Sequence, residues 1–178
     1  MHARGFTLLE ILIAVAVLAL GIIGGVALQM AALRARHQAV LLSQASQMAA
    51  ALAERMRANP AQTDLYLTLD YDAYAEPVPA APPALCHSDA CASAQLALSD
   101  LYEAKQQVRL GMPAGRVLVC RDAGVWSGGT LRWACSGGAA APVVVKVGWR
   151  GKNPDGTPMV DEAGEYAPGV ALVVGVAP

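Results

Sequence analysis

Glu10 is the first residue whose type and position call for chemistry. It stands at the threshold of Ile11 to Leu33, a run with no charged side chain and only one strongly polar one, Gln29. A carboxylate at such a boundary costs up to a few kcal/mol unless it is paired, which marks it as a functional candidate. The competing reading is a cap on the first helical turn, favoured by the helix dipole. Four cysteines follow, Cys86, Cys91, Cys120 and Cys135, all beyond residue 85. Their even number and placement fit disulfides in an oxidising compartment. Of the three possible pairings, nearness favours Cys86–Cys91 with Cys120–Cys135, the second joining adjacent strands across Trp126-Ser127-Gly128-Gly129. Cys91–Cys120 is the competitor. A metal site built from Cys86, His87 and Cys91 lacks the usual zinc spacing.

The remaining candidates read as structural. His2, His37 and His87 stand in no recognisable arrangement with a nucleophile and an acid. Asp155, Asp161, Glu162 and Glu165 form an acidic stretch without calcium-loop spacing. Trp126, Trp133 and Trp149 read as core or sheet-face residues, and no glycine loop of the phosphate-cradling kind occurs. No catalytic residue, metal or cofactor is therefore expected. With 13 basic and 14 acidic residues the net charge is −1, and the pI is about 6.3. Nothing here resembles the basic footprint of a nucleic-acid binder.

The elements that must position these residues begin with the apolar run. About 20 such residues span a bilayer, and the run is longer than the core of a secretory signal. Its apolar character also explains a mean hydropathy of +0.39 in a chain with only 5% aromatic residues. Gly21 and Gly25 form a G-x-x-x-G pattern with Gly24 beside them. It reads either as close helix packing or local unwinding, or as the ordinary frequency of glycine in membrane helices. From Gln29 to Ala58 there is no Pro or Gly. Leu41, Met48, Leu52 and Met56 share a face, while Arg34, Gln38, Arg55 and Arg57 can reach solvent. Asn59-Pro60 is the predicted stop. A helix from Phe6 to about Ala58 would run roughly 80 Å.

Beyond it, alternating Leu65, Leu67 and Leu69 predict a short strand, and the proline-rich Glu76 to Pro83 a loop. Ser93 to Val108 predicts an amphipathic helix with Leu98, Leu101 and Tyr102 inward. Strands are expected over Arg116–Arg121, Thr130–Cys135, Val143–Arg150 and Val170–Val176. Turns are expected at Gly128-Gly129 and Asn153-Pro154-Asp155-Gly156. The fold class is thus α+β, a long helix and a short one on an antiparallel sheet of three or four strands.

Met1-His2-Ala3-Arg4-Gly5 is a short basic leader, followed by Phe6-Thr7-Leu8-Leu9-Glu10 and the apolar run. This pattern resembles the class III signal of type IV prepilins and pseudopilins. The resemblance implies a pilin-like fold, cleavage between Gly5 and Phe6 by the prepilin peptidase, and N-methylation of Phe6. It also implies that Glu10 pairs with the N-terminal amine of a neighbouring subunit. The segments would be a leader (1–5), a transmembrane and filament-core helix (6–33), its extramembrane half (34–59) and a periplasmic head (60–178). Arg4 is opposed by Arg34 and Arg36, so charge alone leaves the topology open. The leader motif and the cysteines place the N-terminus in the cytoplasm and the head outside.

Ala53-Glu54-Arg55-Met56-Arg57-Ala58-Asn59, with Cys91 leading into Ala94-Gln95-Leu96-Ala97 and then Asp100-Leu101-Tyr102-Glu103, is similar to minor pilins of the pilus-modification type. What this implies is a minor pilin that helps to initiate or complete a type IV pilus, with a place at its tip or in its shaft. Its partners would be the prepilin peptidase, the other minor pilins, the major pilin, the inner-membrane assembly machinery and membrane lipid. The alternatives are a minor pseudopilin of a type II secretion system and a single-pass membrane protein whose periplasmic domain binds a ligand.

Overall fold

The computed structural model describes residues 7–86, 90–153, 156–160 and 164–175. It divides into two compact units, Met1–Gln38 and Ala39–Pro178. Helix α1, Leu8–Ala58, is continuous over 51 residues and contributes to both. In the first unit its helical character follows from a run of Leu, Ile, Ala and Val with no proline. Its start is set by Thr7, whose hydroxyl accepts the Glu10 backbone N–H at 3.3 Å and so satisfies one of the orphan donors of the first turn. The helix passes through Gly21, Gly24 and Gly25 without interruption. A Cβ at any of the three would meet nothing within 4 Å inside the chain.

The second unit is the head. The α1 residues Leu41, Ala45, Met48, Ala49, Leu52, Ala53 and Met56 are buried at helical spacing, small and large alternating. This stripe forms one core with α3 and one face of the sheet. Asn59 ends α1, and Pro60–Gln62 form a 3-10 turn leading into α2, Thr63–Tyr66. The strand expected over Leu65, Leu67 and Leu69 is therefore a helical turn. Thr63 and Thr68 hydroxyls donate to the Pro60 and Leu65 carbonyls at 2.7 Å, and these local bonds outweigh a three-residue alternation.

Helix α3, Ser93–Gly111, runs longer than expected. The Gln95 side-chain oxygen accepts the Ala92 N–H at 2.9 Å at its start. Its inward stripe is Ala97, Leu101, Ala104 and Val108, with Tyr102 half-buried. Leu98, expected inside, is 42% exposed because it stands one step off that stripe. Met112 is extended and stops the helix just before Pro113, as steric conflict with a following proline favours.

The strands are β1 (Asp70–Asp72), β2 (Arg116–Arg121), β3 (Trp126–Ser127), β4 (Thr130–Leu131), β5 (Val143–Gly148) and β6 (Pro168–Gly175). They make an antiparallel four-stranded sheet in the order β1-β2-β5-β6 and a separate β3–β4 hairpin. Val117 and Val119 pair with Val147 and Val145 and face the helical core. Gly128 and Gly129, at φ of 55° and 82°, close the hairpin, a conformation that favours glycine.

Strand β4 ends at Leu131 instead of continuing to Cys135. The Arg132, Trp133 and Ala134 carbonyls instead accept from the Lys146 ammonium at 2.8, 3.3 and 3.0 Å, which turns this backbone away from a ladder. Cys120, on β2, is bonded to Cys135 in this irregular stretch, and Cys86 is bonded to Cys91. The second bridge thus ties a strand to a covering loop and not to an adjacent strand. Strand β5 stops at Gly148, two residues before the expected end, because the Arg150 N–H donates to the Pro113 carbonyl at 3.0 Å. Trp133 and Trp149 are buried, whereas Trp126 on β3 is 63% exposed.

Candidate assembly site

In the first unit the site is a face and a charge. Leu8 is 82% exposed, and every large apolar side chain from Leu8 to Leu33 is likewise bare. The best 18-residue window has a mean hydropathy of 2.9 with none of it buried, which makes the helix long and apolar enough to cross a membrane. Each such side chain gains roughly 1.5–3 kcal/mol when covered, so the helix demands lipid or neighbouring helices. Glu10 lies in the first turn, where the N-terminal dipole favours a carboxylate. Among the described residues no ion pair engages it. Gly5 and Phe6, the expected cleavage and methylation residues, lie outside the described residues, as do His87, Asp155, Asp161 and Glu162.

In the head, the two internal segments singled out in the sequence meet. Arg55 of α1 donates to Asp100 at 3.0 Å and to Glu103 at 2.5 Å, both on α3. Desolvation lowers the Arg55 pKa, but the Glu103 and Asp100 carboxylates outweigh it and the net direction is upward. The Tyr66 hydroxyl donates to the other Asp100 oxygen at 2.6 Å. Burial, and then that bond, push the phenol well above its usual range. The Asn59 amide donates to the Ser93 carbonyl at 2.8 Å while its oxygen accepts the Ser93 hydroxyl at 2.7 Å. One seam of paired polar groups thus fastens the end of α1 to the start of α3. Tyr66→Phe leaves one Asp100 oxygen without this donor. We expect a loss of about 1–3 kcal/mol, read from chemical denaturation of the full chain in detergent; a change below a few tenths would count against the seam's role.

On the far face of the sheet, Lys146 and Asp122 are both buried and joined at 2.6 Å. The remaining Lys146 acceptors are the three loop carbonyls named above. The other Asp122 oxygen accepts the Gly124 and Ser136 N–H groups at 3.0 and 3.2 Å and the Arg132 guanidinium at 3.4 Å. Burial pushes the Asp122 carboxyl up, yet Lys146, Gly124 and Ser136 together hold it below its usual value. The sequence reading missed this pair, whose only signal is a lysine in the otherwise apolar run Val143-Val144-Val145-Lys146-Val147. Among the described residues no cluster of three or more His, Cys, Asp or Glu side chains could hold a metal.

A bare apolar helix opening on a carboxylate, continuous with a helix packed on a small antiparallel sheet, defines a pilin-like α+β subunit. A family model described as Type IV pilin Tt1218 (Tt1218-like) matches residues 27–102, and the prokaryotic N-terminal methylation motif matches residues 1–26. The matches abut, and with the fold they support a type IV pilin-like subunit; the matched pilin family is one of structural subunits and not of enzymes. The first match includes Arg55, Asn59, Tyr66, Ser93 and Asp100 of the seam and stops just short of Glu103. The methylation motif implies processing by a prepilin peptidase and assembly with other pilins. No curated protein and no solved structure gives a significant match.

Proposed function

We propose that the chain is a minor pilin that takes part in initiating or completing a type IV pilus, at its tip. The observation that carries this reading is the conjunction of the Gly5-Phe6 leader junction and Glu10 with a helix that has no cover of its own. Prepilin peptidase cuts between Gly5 and Phe6, and Phe6 is then methylated on its new amine. Residues 6–33 anchor the subunit in the inner membrane with the N-terminus cytoplasmic. They later pack in the filament core, where Gly21 and Gly25 allow close approach of neighbouring helices. Residues 34–59 carry the helix into a periplasmic head, residues 60–178. Other minor pilins, the major pilin and the inner-membrane assembly machinery are the partners. The likeness of the Arg55–Asn59 and Asp100–Glu103 segments to minor pilins supports this subtype over a secretion-system pseudopilin.

The test is the mature N-terminus. Expressed with an active prepilin peptidase, the chain is expected to begin at Phe6 and to carry a methylated amine by mass spectrometry. Without the peptidase it should retain Met1. Retention of Met1 beside active peptidase would remove the pilin reading and leave a plain membrane-anchored domain.

A further inference from the structure

At one end of the sheet, where Asp72, Arg116 and Gly148 are paired across β1, β2 and β5, the head encloses a cleft of about 260 Å³. Its floor is built into the backbone. Trp133 and Trp149, both buried, lie against glycines. A Cβ at Gly148 would stand 2.9 Å from the Trp133 ring, and one at Gly169 2.5 Å from the Trp149 ring. The Trp133 indole N–H donates to the Tyr166 carbonyl at 2.5 Å, which fixes a further wall. Ala114, also in the lining, has a φ of 45° and is the one non-glycine residue at positive φ among those described. Such conformations are costly for alanine and gather at ligand sites.

Around this floor, charged groups are matched yet held apart. Arg150 Nη2 and Asp72 Oδ2 face each other at 4.0 Å, beyond hydrogen-bond reach. Among the described residues neither atom makes a hydrogen bond; the other Asp72 oxygen accepts the Tyr74 N–H at 2.9 Å. The Arg150 guanidinium lies 3.6 Å from the Tyr74 ring centroid and 5.4 Å from that of Tyr166. Stacking of this kind holds the planar group and leaves its N–H edge available. Arg116 repeats the arrangement. Its Nε and Nη2 are committed to Asp70 at 3.1 Å and it sits over the Trp133 ring at 4.6 Å, while Nη1 stands 4.0 Å from Glu165 Oε2.

Each gap has the width that one bridging oxygen fills. The group must accept from a guanidinium and donate to a carboxylate at once, and a hydroxyl does both. A ligand carboxylate or phosphate would suit the arginines but be repelled by Asp72 and Glu165, and an ammonium would meet the reverse conflict. We propose that the cleft binds a neutral sugar unit. One ring hydroxyl bridges Arg150 to Asp72, another bridges Arg116 to Glu165, and the carbon face of the ring lies against Tyr166. The volume agrees, falling just short of the roughly 300–1,000 Å³ of pockets for drug-sized ligands, which suits a single ring. This goes beyond the pilus-subunit reading, because every residue it uses lies in the head.

The test titrates the full chain, in a detergent whose headgroup is not a sugar, with glucose, galactose, mannose and N-acetylglucosamine. At least one is expected to shift the NMR amide signals of Asp72, Ala114, Arg150 and Tyr166 saturably, with a dissociation constant on the order of a millimolar. Asp72→Asn, which keeps an acceptor for the Tyr74 N–H, and Arg150→Gln should each weaken binding at least about tenfold. The amides of Ala97 and Leu101, away from the cleft, report whether each variant head is folded. Methyl glycosides, capped as a sugar is within a chain, bind equally if the ligand is a glycan unit and poorly if it is a free sugar; either result supports the site. If none of the four sugars shifts the cleft amides of the wild-type chain, the proposal fails, as it does if binding survives both substitutions. Acetate or phosphate seated there in place of sugar would mark an anion site and overturn it too. A chain that begins at Phe6 and enters pili but binds no sugar loses this inference alone.

Discussion

Glu10→Ala is expected to leave membrane insertion and leader cleavage largely intact and to exclude the subunit from filaments. The apolar run Ile11–Leu33 is untouched by the change, and it alone drives insertion. The cleavage junction, Gly5-Phe6, lies upstream. Under the proposed function, what is lost is the partner of the cation that cleavage would create, the Phe6 amine of a neighbouring subunit. Once helices surround it, that amine sits in an apolar environment, and removing one partner of a buried pair costs about 3–5 kcal/mol. Such a loss corresponds to a drop in incorporation on the order of a hundredfold or more. Immunoblots of membranes and of sheared pili from the same cells separate the two outcomes. Normal amounts of the variant in the sheared fraction would show that Glu10 is only a cap on the first turn, where Thr7 already serves.

The second large effect is expected at Lys146. Replacing it with methionine preserves much of the volume but leaves the Asp122 carboxylate buried beside an apolar side chain. The Gly124 and Ser136 N–H groups and the Arg132 guanidinium, 3.4 Å away, remain as partners, yet the three carbonyls of Arg132, Trp133 and Ala134 lose theirs. A destabilisation of about 3–5 kcal/mol follows, a large part of the roughly 5–15 kcal/mol that holds a typical domain together. Denaturation of the full chain in detergent measures it; a loss below about 1 kcal/mol would mean that water or the loop replaces the ammonium at little cost. The double change of Lys146→Met with Asp122→Asn should recover part of the loss, because it removes a buried carboxylate whose remaining charge partner is the Arg132 guanidinium at 3.4 Å.

The same pair sets a pH dependence. Asp122 is held below its usual pKa in the folded head, so the folded state binds this proton less readily than the unfolded chain. Its stabilisation is therefore complete above the unfolded value of about 3.9. It disappears as pH falls through the lower, folded value. Wild-type stability should fall on acidification below about pH 4, and Asp122→Asn should flatten that part of the profile. An unchanged slope in the variant would assign the acid sensitivity to other carboxylates.

How much of this was legible follows from the range of the interactions involved. The apolar helix, its carboxylate and its stop at Asn59-Pro60 are local, written in periodicity, propensity and the stereochemistry of proline, and α1 ends at Ala58 as the sequence predicts. Strand β2 and most of β5 and β6 are runs of valine and leucine, and they too are local. The Arg55–Asp100 seam was half legible. Both segments stood out as familiar, but nothing in a linear chain says that residues 45 positions apart bond to one another. The misread elements divide between local and distant causes. Leu65, Leu67 and Leu69 alternate like a strand, yet threonine hydroxyls and Pro60 fold them into turns. Leu98 is as apolar as Leu101, but only one of them lies on the face that α1 covers.

The sequence by itself determined that this chain carries a membrane-length helix within an N-terminal methylation motif, because hydrophobicity and such motifs are written in neighbouring residues. It also determined that the cysteines belong to the head. Tertiary structure alone decided what the loop between β2 and β5 does. The buried Lys146 draws three carbonyls toward the sheet, so that Thr130–Cys135 is a covering loop where a strand was expected. The order β1-β2-β5-β6 also belongs to tertiary structure. Which strand lies at an edge depends on pairings between residues far apart in the chain, and those are settled only when the whole core closes around Leu52, Val119 and Val145.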